Sequence, residues 1–420
     1  MKSFTQSPKG KLGILTVGVG AISSTFMAGV MAIKKGTSRP IGSVALTGDI
    51  ETEQGERVRV SDYVELAQSD DIVFGGWDVF EGNAYDAAAR AKVLGHQDLE
   101  SSKEDLEQVK VMPAVFNPHF VKFLEGDNVK KGKDNLDLAY QLREDIRTFK
   151  KNNNCDRVVV VWCGSTESYT QISEEHMSIE AFEKALKNSS SKVAPSMIYA
   201  YAAIMEGAPY ANGAPNLSIR IPALQELAEQ KGIPLAGSDF KTGQTLLKNI
   251  IAPGLKSRML GISGWFSTNI LGNLDGKVLQ SAESFKSKEE SKLGVLDNIL
   301  DPEGHPELYG DLDHAVRINY YRPRGDSKEG WDNIDIFGWM GYPMQIKVNF
   351  LCRDSILAAP LVYDLAVFLD LASRKKLPGG IQEWLGFYFK DPAVREGSFQ
   401  EHDLAKQLEF MHAKLHEMKR

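Results

Sequence analysis

Short apolar runs alternate with helical patterns in the first part of the chain. Residues 12–17 form an apolar run that ends in a glycine turn, and residues 24–34 follow with a helical pattern. Residues 41–46 and 71–74 are two further candidate strands, and residues 157–162 form a β-branched run. Apolar strands that alternate with helices are typical of a parallel sheet covered by helices on both faces. The pattern therefore predicts a doubly wound α/β domain.

The pattern changes from about residue 260. Residues 259–268, 315–321 and 344–352 alternate or run apolar without helices between them. This predicts an open, partly antiparallel sheet, and hence a second domain of the α+β type. Residues 284–301 have the pattern of a helix with its lysines on one side, and residues 355–374 have that of a long apolar helix.

Composition narrows the classes of function. A hydrophobic fraction of 42% over 420 residues supports a large core, and a formal charge of −7 argues against a general nucleic-acid binder. The three cysteines and eight scattered histidines give little support to a metal site. The N-terminus lacks the features of a secretory signal, and no run of about eighteen apolar residues occurs. We therefore expect a soluble, cytoplasmic protein with neither a nucleic acid nor a membrane as partner.

A glycine turn follows the first apolar run and precedes a predicted helix. Gly18, Gly20 and Ser23 fit a dinucleotide-binding turn, in which glycines let the backbone approach a pyrophosphate at a helix N-terminus. Ser23 stands where a third glycine is usual, and an ordinary βα turn is the alternative. Asp49, at the end of the second candidate strand, is able to accept a hydrogen bond from the adenosine ribose of NAD, or is a plain turn residue.

A loop with the sequence GSDFKTGQT, at residues 237–245, precedes a predicted helix over residues 244–251. Its backbone N–H groups and the Thr242 hydroxyl are able to receive a substrate phosphate at the helix N-terminus. A plain N-cap without a ligand is the alternative, since Thr and Ser often begin helices.

Four lysines stand out by their neighbours. Lys288 and Lys292 are one helical turn apart and share a helix face, although a solvated face is the usual reason for such a pair. Lys328, in the sequence GDSK, has the pattern of a polar turn after a strand. Lys390 lies between aromatic residues and an aspartate, where a lysine that reaches from a core to solvent is the alternative to a site residue.

Several segments, taken in order, resemble the myo-inositol-1-phosphate synthase family, also called inositol-3-phosphate synthases. The matching segments begin with VWCGSTESY and NGAPNL and continue with GSDFKTGQT and STNILGNLDG. FKSKEESK, GDSK, CRDSILA and the Lys390 segment complete the order, so the resemblance covers nearly the whole chain from about Gly10. Departures from the family pattern include Ser23 in the glycine turn, Cys-Gly-Ser at residues 163–165, and Leu274.

The resemblance implies an NAD-dependent enzyme that converts D-glucose 6-phosphate to 1D-myo-inositol 3-phosphate. In the family's reaction NAD oxidises C5, C6 loses a proton and attacks the C1 aldehyde, and C5 is then reduced again. Such a site must bind a phosphate dianion, move protons at hydroxyl oxygens and stabilise an enolate beside a nicotinamide. Lysines suit these tasks because ammonium groups bind oxyanions, and repulsion among them lowers some of their pKa values.

The resemblance also implies roles for individual residues. The catalytic set, for proton transfer, oxyanion stabilisation and charge balance, comprises Lys288, Lys328, Lys390, Asp239 and Asp326. The substrate set, for the phosphate and the sugar hydroxyls, comprises Lys292, Thr242, Gly243, Gln244, Asn269 and Asn273. The cofactor set comprises Gly18, Gly20, Ala21, Ser23, Asp49, Asp78, Ser165, Thr166 and Asp354. No metal ligand is implied, and a need for a divalent or a monovalent cation stays open because family members differ.

The expected architecture combines both patterns. We expect a Rossmann-type NAD domain over residues 10–243, an inserted open-sheet catalytic and oligomerisation domain over residues 244–351, and a C-terminal part, residues 352–420, that returns to the NAD domain. The substrate would then bind between the two domains. The resemblance implies a homotetramer, and a broad open sheet needs a cover, so we expect the subunits to pack through that sheet.

Two other functions share parts of this pattern. An NAD(P)-dependent dehydrogenase of a sugar phosphate or a related small substrate would have the same glycine turn and would accumulate NADH. A non-catalytic NAD-binding regulator would keep the fold and lose turnover, although the complete lysine set argues against it.

Overall fold

The computed structural model of the protein describes residues 8–122, 124–273 and 295–419. Within them the strands, in chain order, are β1 (Lys11–Val17), β2 (Asp49–Glu51), β3 (Arg57–Arg59), β4 (Ile72–Asp78), β5 (Val111–Pro113), β6 (Cys155–Trp162), β7 (Tyr210–Asn212), β8 (Pro234–Gly237), β9 (Gly261–Leu271), β10 (Asp313–Tyr320), β11 (Ser327–Phe337), β12 (Pro343–Arg353) and β13 (Gly380–Ile381). The helices are α1 (Ala21–Lys34), α2 (Val44–Thr47), α3 (Val60–Tyr63), α4 (Ala84–Ala91), α5 (His96–Ser101), α6 (Lys103–Gln108), α7 (Asn135–Asn152), α8 (Ile179–Lys187), α9 (Pro195–Met205), α10 (Pro222–Lys231), α11 (Gly243–Ser257), α12 (Pro306–Tyr309), α13 (Asp354–Arg374) and α14 (Leu404–Lys419).

A parallel sheet forms the centre of the first part of the fold. Its strand order is β13-β8-β7-β6-β1-β4-β5, and every neighbouring pair is parallel. Leu12 and Ile14 of β1 face a core that includes α1 and α13, whereas Leu15 and Val17 face a second core that includes α7 and α9. Both faces are covered, so the strands are apolar without strict alternation. The predicted doubly wound α/β fold is confirmed.

A mixed sheet lies between α11 and α13 in the chain. Its order is β10-β9-β11-β12, with β10 and β9 parallel and the other two pairs antiparallel. One face packs against α11, and buried residues alternate with more exposed ones along β11. The predicted partly antiparallel sheet is confirmed, although the sequence pattern does not predict β11. Of the helix predicted over residues 284–301, residues 284–294 lie outside the described residues, and residues 295–300 are helical.

The chain returns to the parallel sheet after the mixed sheet. Helix α13 packs against α1 and β6, and β13 then pairs with β8. Helix α13 has the length and hydropathy of a membrane span, but 72% of that stretch is buried inside the fold, as expected for a core helix. The domain boundaries given above stay predictions.

The strand predicted at residues 41–46 was wrong. Residues 44–47 form α2, whose first N–H groups, on Val44 and Ala45, donate to the buried Asp364 carboxylate at 2.7 and 3.3 Å. The Ser43 hydroxyl accepts from the Leu46 N–H and caps the same helix. The place beside β1 in the parallel sheet belongs to β4 instead.

Candidate active site

A cavity of about 490 Å³ opens at the carboxyl ends of β1, β4 and β6. Val17, Asp78 and Trp162, the last residues of these strands, line one part of it. Residues at the ends of mixed-sheet strands, among them Tyr320 and Asp326, line another part. Ligands of open parallel sheets bind at this edge of the sheet, so the cavity is the candidate active site.

The glycine turn lies against this cavity. Gly18 has φ +86°, and a Cβ at this position would come within 2.6 Å of the Gly164 Cα, so glycine is required. Gly20 is the N-cap of α1, and no atom of the described residues lies within 4 Å of the position that a Cβ would take. Gly20 and Ala21 both line the cavity. The turn fits a pyrophosphate, because open space here meets the N–H groups of a helix N-terminus.

Ser23 supports the turn from inside the fold. Its side chain is buried, and its hydroxyl donates to the Gly18 carbonyl oxygen at 2.7 Å. Ser23 does not line the cavity. The serine that replaces a glycine therefore holds the turn together, and a contact between Ser23 and the cofactor stays a prediction.

The structure separates Asp49 and Asp78, two of the aspartates predicted to bind the cofactor. Asp49 begins the hairpin strand β2, where its exposed carboxylate pairs with Arg59 at 3.0 Å, away from the residues that line the cavity. The expectation that Asp49 ends a strand of the parallel sheet was wrong. Asp78 ends β4, directly beside β1, and lines the cavity. Because β4 takes the place of the second strand of a dinucleotide-binding fold, Asp78 is at the position of a ribose-binding carboxylate.

Two interactions define the state of the Asp78 carboxyl. Its Oδ1 accepts from the Phe80 N–H at 3.1 Å. Burial raises the pKa of Asp78, while that hydrogen bond and the Arg90 charge oppose the rise. Arg90 also lines the cavity, with its guanidinium 4.4 Å from the centre of the Phe80 ring. The Arg90 guanidinium therefore places a positive charge near the Asp78 carboxylate in this part of the cavity. The sequence analysis did not predict this arginine.

Buried hydrogen bonds hold the loop after β6, where Ser165 and Thr166 line the cavity. The Glu167 N–H donates to Asn216 Oδ1 at 2.9 Å, and the Glu167 carboxylate accepts from the Ser196 N–H at 2.8 Å. Burial raises the pKa of Glu167 to about 7, although the hydrogen bonds from Ser196 favour the ionised form. Two of the segments that carry the family resemblance therefore fix this loop in place.

Two segments distant in sequence are hydrogen-bonded to each other beside the cavity. The Lys241 N–H donates to the Tyr388 carbonyl at 2.8 Å, and the Lys390 N–H donates to the Asp239 carbonyl at 2.6 Å. The side chains of the second pair also meet, with Lys390 Nζ 3.1 Å from Asp239 Oδ1. Both Lys390 and Asp239 line the cavity. The backbone contacts therefore set this buried ion pair at the site.

A second ion pair lies near the first. Lys328, at the start of β11, places its Nζ 3.1 Å from Asp354 Oδ2 at the start of α13. Burial alone would raise the pKa of Asp354. The charges of Lys328 and Lys390, with hydrogen bonds from Thr242 and Lys328, instead hold the pKa of Asp354 well below its usual range. Asp354 therefore forms an ion pair with Lys328 and also experiences the charge of Lys390.

Asp326 lines the cavity and holds the start of α13. Its Oδ1 accepts from the Ser355 hydroxyl at 2.7 Å, and its Oδ2 lies 3.5 Å from Arg353 Nε. Burial raises the pKa of Asp326, the hydrogen bond from Ser355 opposes this, and the Asp354 charge adds to it. These bonds fix the same helical turn that carries Asp354.

The N-terminus of α11 faces the Lys328–Asp354 pair. Thr242 is the N-cap residue, and its hydroxyl is engaged with Asp354 instead of the helix. Gly243 has φ +59°, and a Cβ there would lie 3.5 Å from Lys328 Nζ. The first N–H groups of α11 therefore lie close to an ammonium group, an arrangement that suits a phosphate dianion.

The Gln244 side chain points into the mixed sheet. Its amide nitrogen donates to Asp332 Oδ2 at 3.0 Å and to the carbonyls of Thr268 and Trp331 at 3.1 and 3.2 Å. The side chain therefore anchors α11 to the sheet, and the backbone N–H of Gln244 is the group that belongs to the helix N-terminus.

The remaining residues predicted to bind the substrate differ in their position in the structure. Asn269 on β9 is buried, and neither its amide nitrogen nor its amide oxygen has a hydrogen-bond partner among the described residues. A buried amide in this state costs free energy unless a ligand or water satisfies it. Asn273 follows β9 and lines the cavity. Lys288 and Lys292 lie outside the described residues, so their roles stay predictions.

Two buried lysines, Lys241 and Lys248, are not among the predicted site residues. Lys241 donates from Nζ to the Gln407 side-chain oxygen, and burial lowers the pKa of Lys241 to about 7. Lys248 Nζ lies 2.6 Å from His314 Nε2, and burial lowers the pKa of Lys248 to about 8. The available sequence signal is indirect, since Lys248 follows Gln244 by one helical turn on the face that meets the mixed sheet.

The described residues contain no group of three or more His, Cys, Asp or Glu arranged to hold a metal ion. His412 and His416 are one helical turn apart on α14, a spacing used by metal ligands. His416 Nδ1, however, is hydrogen-bonded to the Tyr63 hydroxyl at 2.7 Å. We therefore assign no residue to a cation.

The chain is similar to known proteins over nearly its whole length. Residues 12–416 match the model of an NAD-binding family described as myo-inositol-1-phosphate synthase. The chain is 54% identical over 409 residues to inositol-3-phosphate synthase 1 of Bacteroides thetaiotaomicron, with 97% of this chain and 95% of that protein covered. It is 31% identical over 445 residues to inositol-3-phosphate synthase of Saccharomyces cerevisiae, with 94% and 83% covered.

Solved structures agree with these sequence matches. The crystal structure of inositol-3-phosphate synthase from Caenorhabditis elegans matches with a TM-score of 0.92 at 29% identity, covering 99% of this chain and 87% of that chain. The glycine turn, the N-terminus of α1 and Asp78 fit the NAD that the family model specifies. The chain belongs to the myo-inositol-1-phosphate synthase family.

Proposed function

We propose that this protein is an NAD-dependent inositol-3-phosphate synthase that converts D-glucose 6-phosphate to 1D-myo-inositol 3-phosphate. One observation carries the proposal: the glycine turn, Asp354 and the Lys390–Asp239 pair line a single cavity, and Lys328 is bonded to Asp354. The relatives at 54% and 31% identity carry the name of this activity, which supports the same conclusion.

NAD would be held by the parallel-sheet side of the cavity. Gly18 and Gly20 would admit the pyrophosphate to the N-terminus of α1, and Asp78 would accept from the ribose hydroxyls. Ser165 and Thr166 line the cavity on the loop after β6. When bound, NAD would supply a hydride acceptor for the oxidation of C5 and, as NADH, a hydride donor for its later reduction. The protein contributes the orientation of the substrate and the charges around it.

The substrate phosphate would bind at the N-terminus of α11. The backbone N–H groups of Gly243 and Gln244 would be the donors, and the nearby Lys328 ammonium would add positive charge. Thr242 would begin the helix at this site, with its hydroxyl held by Asp354. Lys292 would join them by resemblance. Asn269 and Asn273 would bind sugar hydroxyls, which would also satisfy the buried Asn269 amide.

Lys328 and Lys390 would transfer protons at the substrate oxygens. An ammonium group beside the C5 oxygen stabilises the negative charge that develops there when C6 loses its proton. The Asp354 and Asp239 carboxylates offset the repulsion between the two ammonium groups and fix their positions. Asp326 would support the Asp354 turn, and Lys288 would belong to the same set by resemblance.

We further propose a cytoplasmic homotetramer whose subunits pack through the outer face of the mixed sheet. Phe266, Trp331 and Leu351, on three adjacent strands, are 42%, 43% and 61% exposed. They lie on the face opposite to the one that packs against α11. Apolar side chains grouped on an exposed sheet face mark an interaction surface. Light scattering of the purified protein is the test, and a monodisperse monomer would exclude this assembly.

Incubation with glucose 6-phosphate and NAD tests the proposed activity. Formation of an inositol phosphate without a net rise in NADH absorbance is the expected result. A steady rise in NADH would instead identify a sugar-phosphate dehydrogenase. Binding of NAD without either product would identify a non-catalytic regulator.

A further inference from the structure

Buried polar side chains lie between α11 and the mixed sheet, and the proposed chemistry makes no use of them. Gln244 and Lys248 are one helical turn apart on α11 and are 6% and 3% exposed. Asp332 of β11 faces them and is 2% exposed. We call these three residues the α11 seam. Burying these polar groups costs free energy unless each of them forms well-aligned hydrogen bonds. Their hydrogen-bond partners therefore indicate what the seam holds in place.

Asp332 is the centre of the α11 seam. Its Oδ1 accepts from the Trp265 indole N–H at 2.8 Å and from the Ser267 hydroxyl at 2.6 Å, while its Oδ2 accepts from the Gln244 amide at 3.0 Å. Lys248 supplies a positive charge near this carboxylate. A buried carboxylate with donors on a neighbouring strand and on a helix fixes the position of the helix against the sheet.

The inner face of β11 connects this carboxylate with the active site. Lys328, Gly330 and Asp332 are the buried residues at alternate positions, so they share one face of the strand. A Cβ on Gly330 would come within 2.9 Å of Gln244 Nε2, so the glycine leaves the space that the amide occupies. Asn269 is the partner of Gly330 on β9. The Gln244 amide therefore packs on the pair of strands that carry Lys328 and Asn269.

We propose that Asp332 is a positioning residue for the substrate phosphate. It holds the Gln244 side chain, and thereby the N-terminal turn of α11, at a fixed position relative to Lys328 and Asn269. Asp332 lies outside the set of residues that line the cavity and acts through Gln244. The inference rests on the proposed function in taking the N-terminus of α11 as the phosphate site.

The proposal predicts a selective loss of substrate binding when Asp332 is changed. Asp332→Asn removes the charge and one of the acceptors, so a donor would face either the Gln244 amide or the Trp265 and Ser267 donors. The N–H groups at the start of α11 would then lose their fixed position, while the NAD side of the cavity keeps its contacts. We expect the Kd for glucose 6-phosphate to rise about tenfold, and the Kd for NAD to change less than about twofold.

Asp370→Asn is the matched control. Asp370 is also 2% exposed and forms ion pairs with Arg157 and Arg374 at 2.6 and 2.9 Å. It lies about 24 Å along α13 from Asp354, given the rise of a helix per residue. Both substitutions disturb a buried carboxylate and should lower the thermal midpoint. Only Asp332→Asn should weaken binding of glucose 6-phosphate, measured by calorimetry on the NADH-loaded protein, which cannot oxidise C5 and therefore binds the substrate without converting it.

Gly330→Ala tests the same contact with Asp332 intact. The added Cβ would displace the Gln244 amide, so this variant should also raise the Kd for glucose 6-phosphate and leave that for NAD unchanged. If Asp332→Asn fails to fold, Gly330→Ala decides the question alone. Substrate affinity equal to that of the Asp370→Asn control would overturn the proposal. Calorimetry needs no turnover, so a wild type that binds glucose 6-phosphate and forms no inositol phosphate would end the proposed function separately.

Discussion

Replacing Lys328 with methionine should reduce both turnover and stability, for different reasons. The Lys328 and Asp354 side chains are 11% and 23% exposed, so the substitution leaves a largely buried carboxylate without its nearest cation. Removing one partner of a buried pair costs about 3 to 5 kcal/mol. Because Lys390 and Thr242 still act on Asp354, we expect the lower end, about 3 kcal/mol. Turnover should fall by about a hundredfold or more, the usual loss for a proton-transfer group.

A double-mutant cycle with Asp354→Asn separates the two effects. The double variant has no unpaired charge at this position, so it should regain much of the lost stability without regaining turnover. Urea denaturation would give the free energies of unfolding, and a coupled assay would give the turnover. A coupling energy below about 0.5 kcal/mol would refute the ion-pair account, and a Lys328→Met enzyme with more than about a tenth of wild-type turnover would refute the catalytic one.

The pH dependence of the coupling energy tests the direction of the pKa shift of Asp354. The folded-state pKa of Asp354 is lowered from its ordinary value of 3.8. A depressed carboxyl pKa contributes stability that is present above the ordinary value and is lost as the pH falls through the folded-state value. The coupling energy should therefore be the same at all pH values from about 5 to 8.

Three further predictions concern the cofactor side. Asp78→Asn should raise the Kd for NAD about tenfold, while the exposed control Asp49→Asn should leave it unchanged; equal effects would remove Asp78 from the ribose site. Gly18→Ala should lower the thermal midpoint, because the added Cβ would lie 2.6 Å from a backbone atom. Gly20→Ala should keep the midpoint of the free protein, because its Cβ would enter open space, but should lose the rise in midpoint that NAD binding causes. Burial raises the pKa of Glu167 from 4.5 to about 7, so its stabilising contribution is complete below pH 4.5 and is lost as the pH rises through about 7. The thermal midpoint of the wild type should therefore fall relative to that of Glu167→Gln over this range, and parallel curves would contradict it.

Local patterns were enough to predict the parallel sheet, but contacts between distant residues were beyond them. Residues 157–162 are recognisable as a buried strand from their own side chains, and β6 follows. The error at α2 came from Asp364, which satisfies the N-terminus of that helix from 320 positions away along the chain. Strand β11 was missed because its inner face carries Lys328, Gly330 and Asp332, which hide the apolar alternation.

The identity of the site residues was likewise more predictable from the sequence than the contacts between them. Lys328 and Lys390 followed from the order of the segments, but their carboxylate partners lie 26 and 151 positions away along the chain. Lys248 and Asp332 were missed because charged residues are expected at the surface unless their partners are known. The pairing of distant residues in the folded chain supplies that information.

Conversion of glucose 6-phosphate with a catalytic amount of NAD tests the central claim most directly. The reaction is followed by phosphorus and proton NMR until the substrate signal is constant. Because the electron pair removed at C5 returns to C5, we expect all of the substrate to become inositol phosphate while the NAD remains oxidised. A reaction that stops once the NAD has become NADH would contradict the assignment.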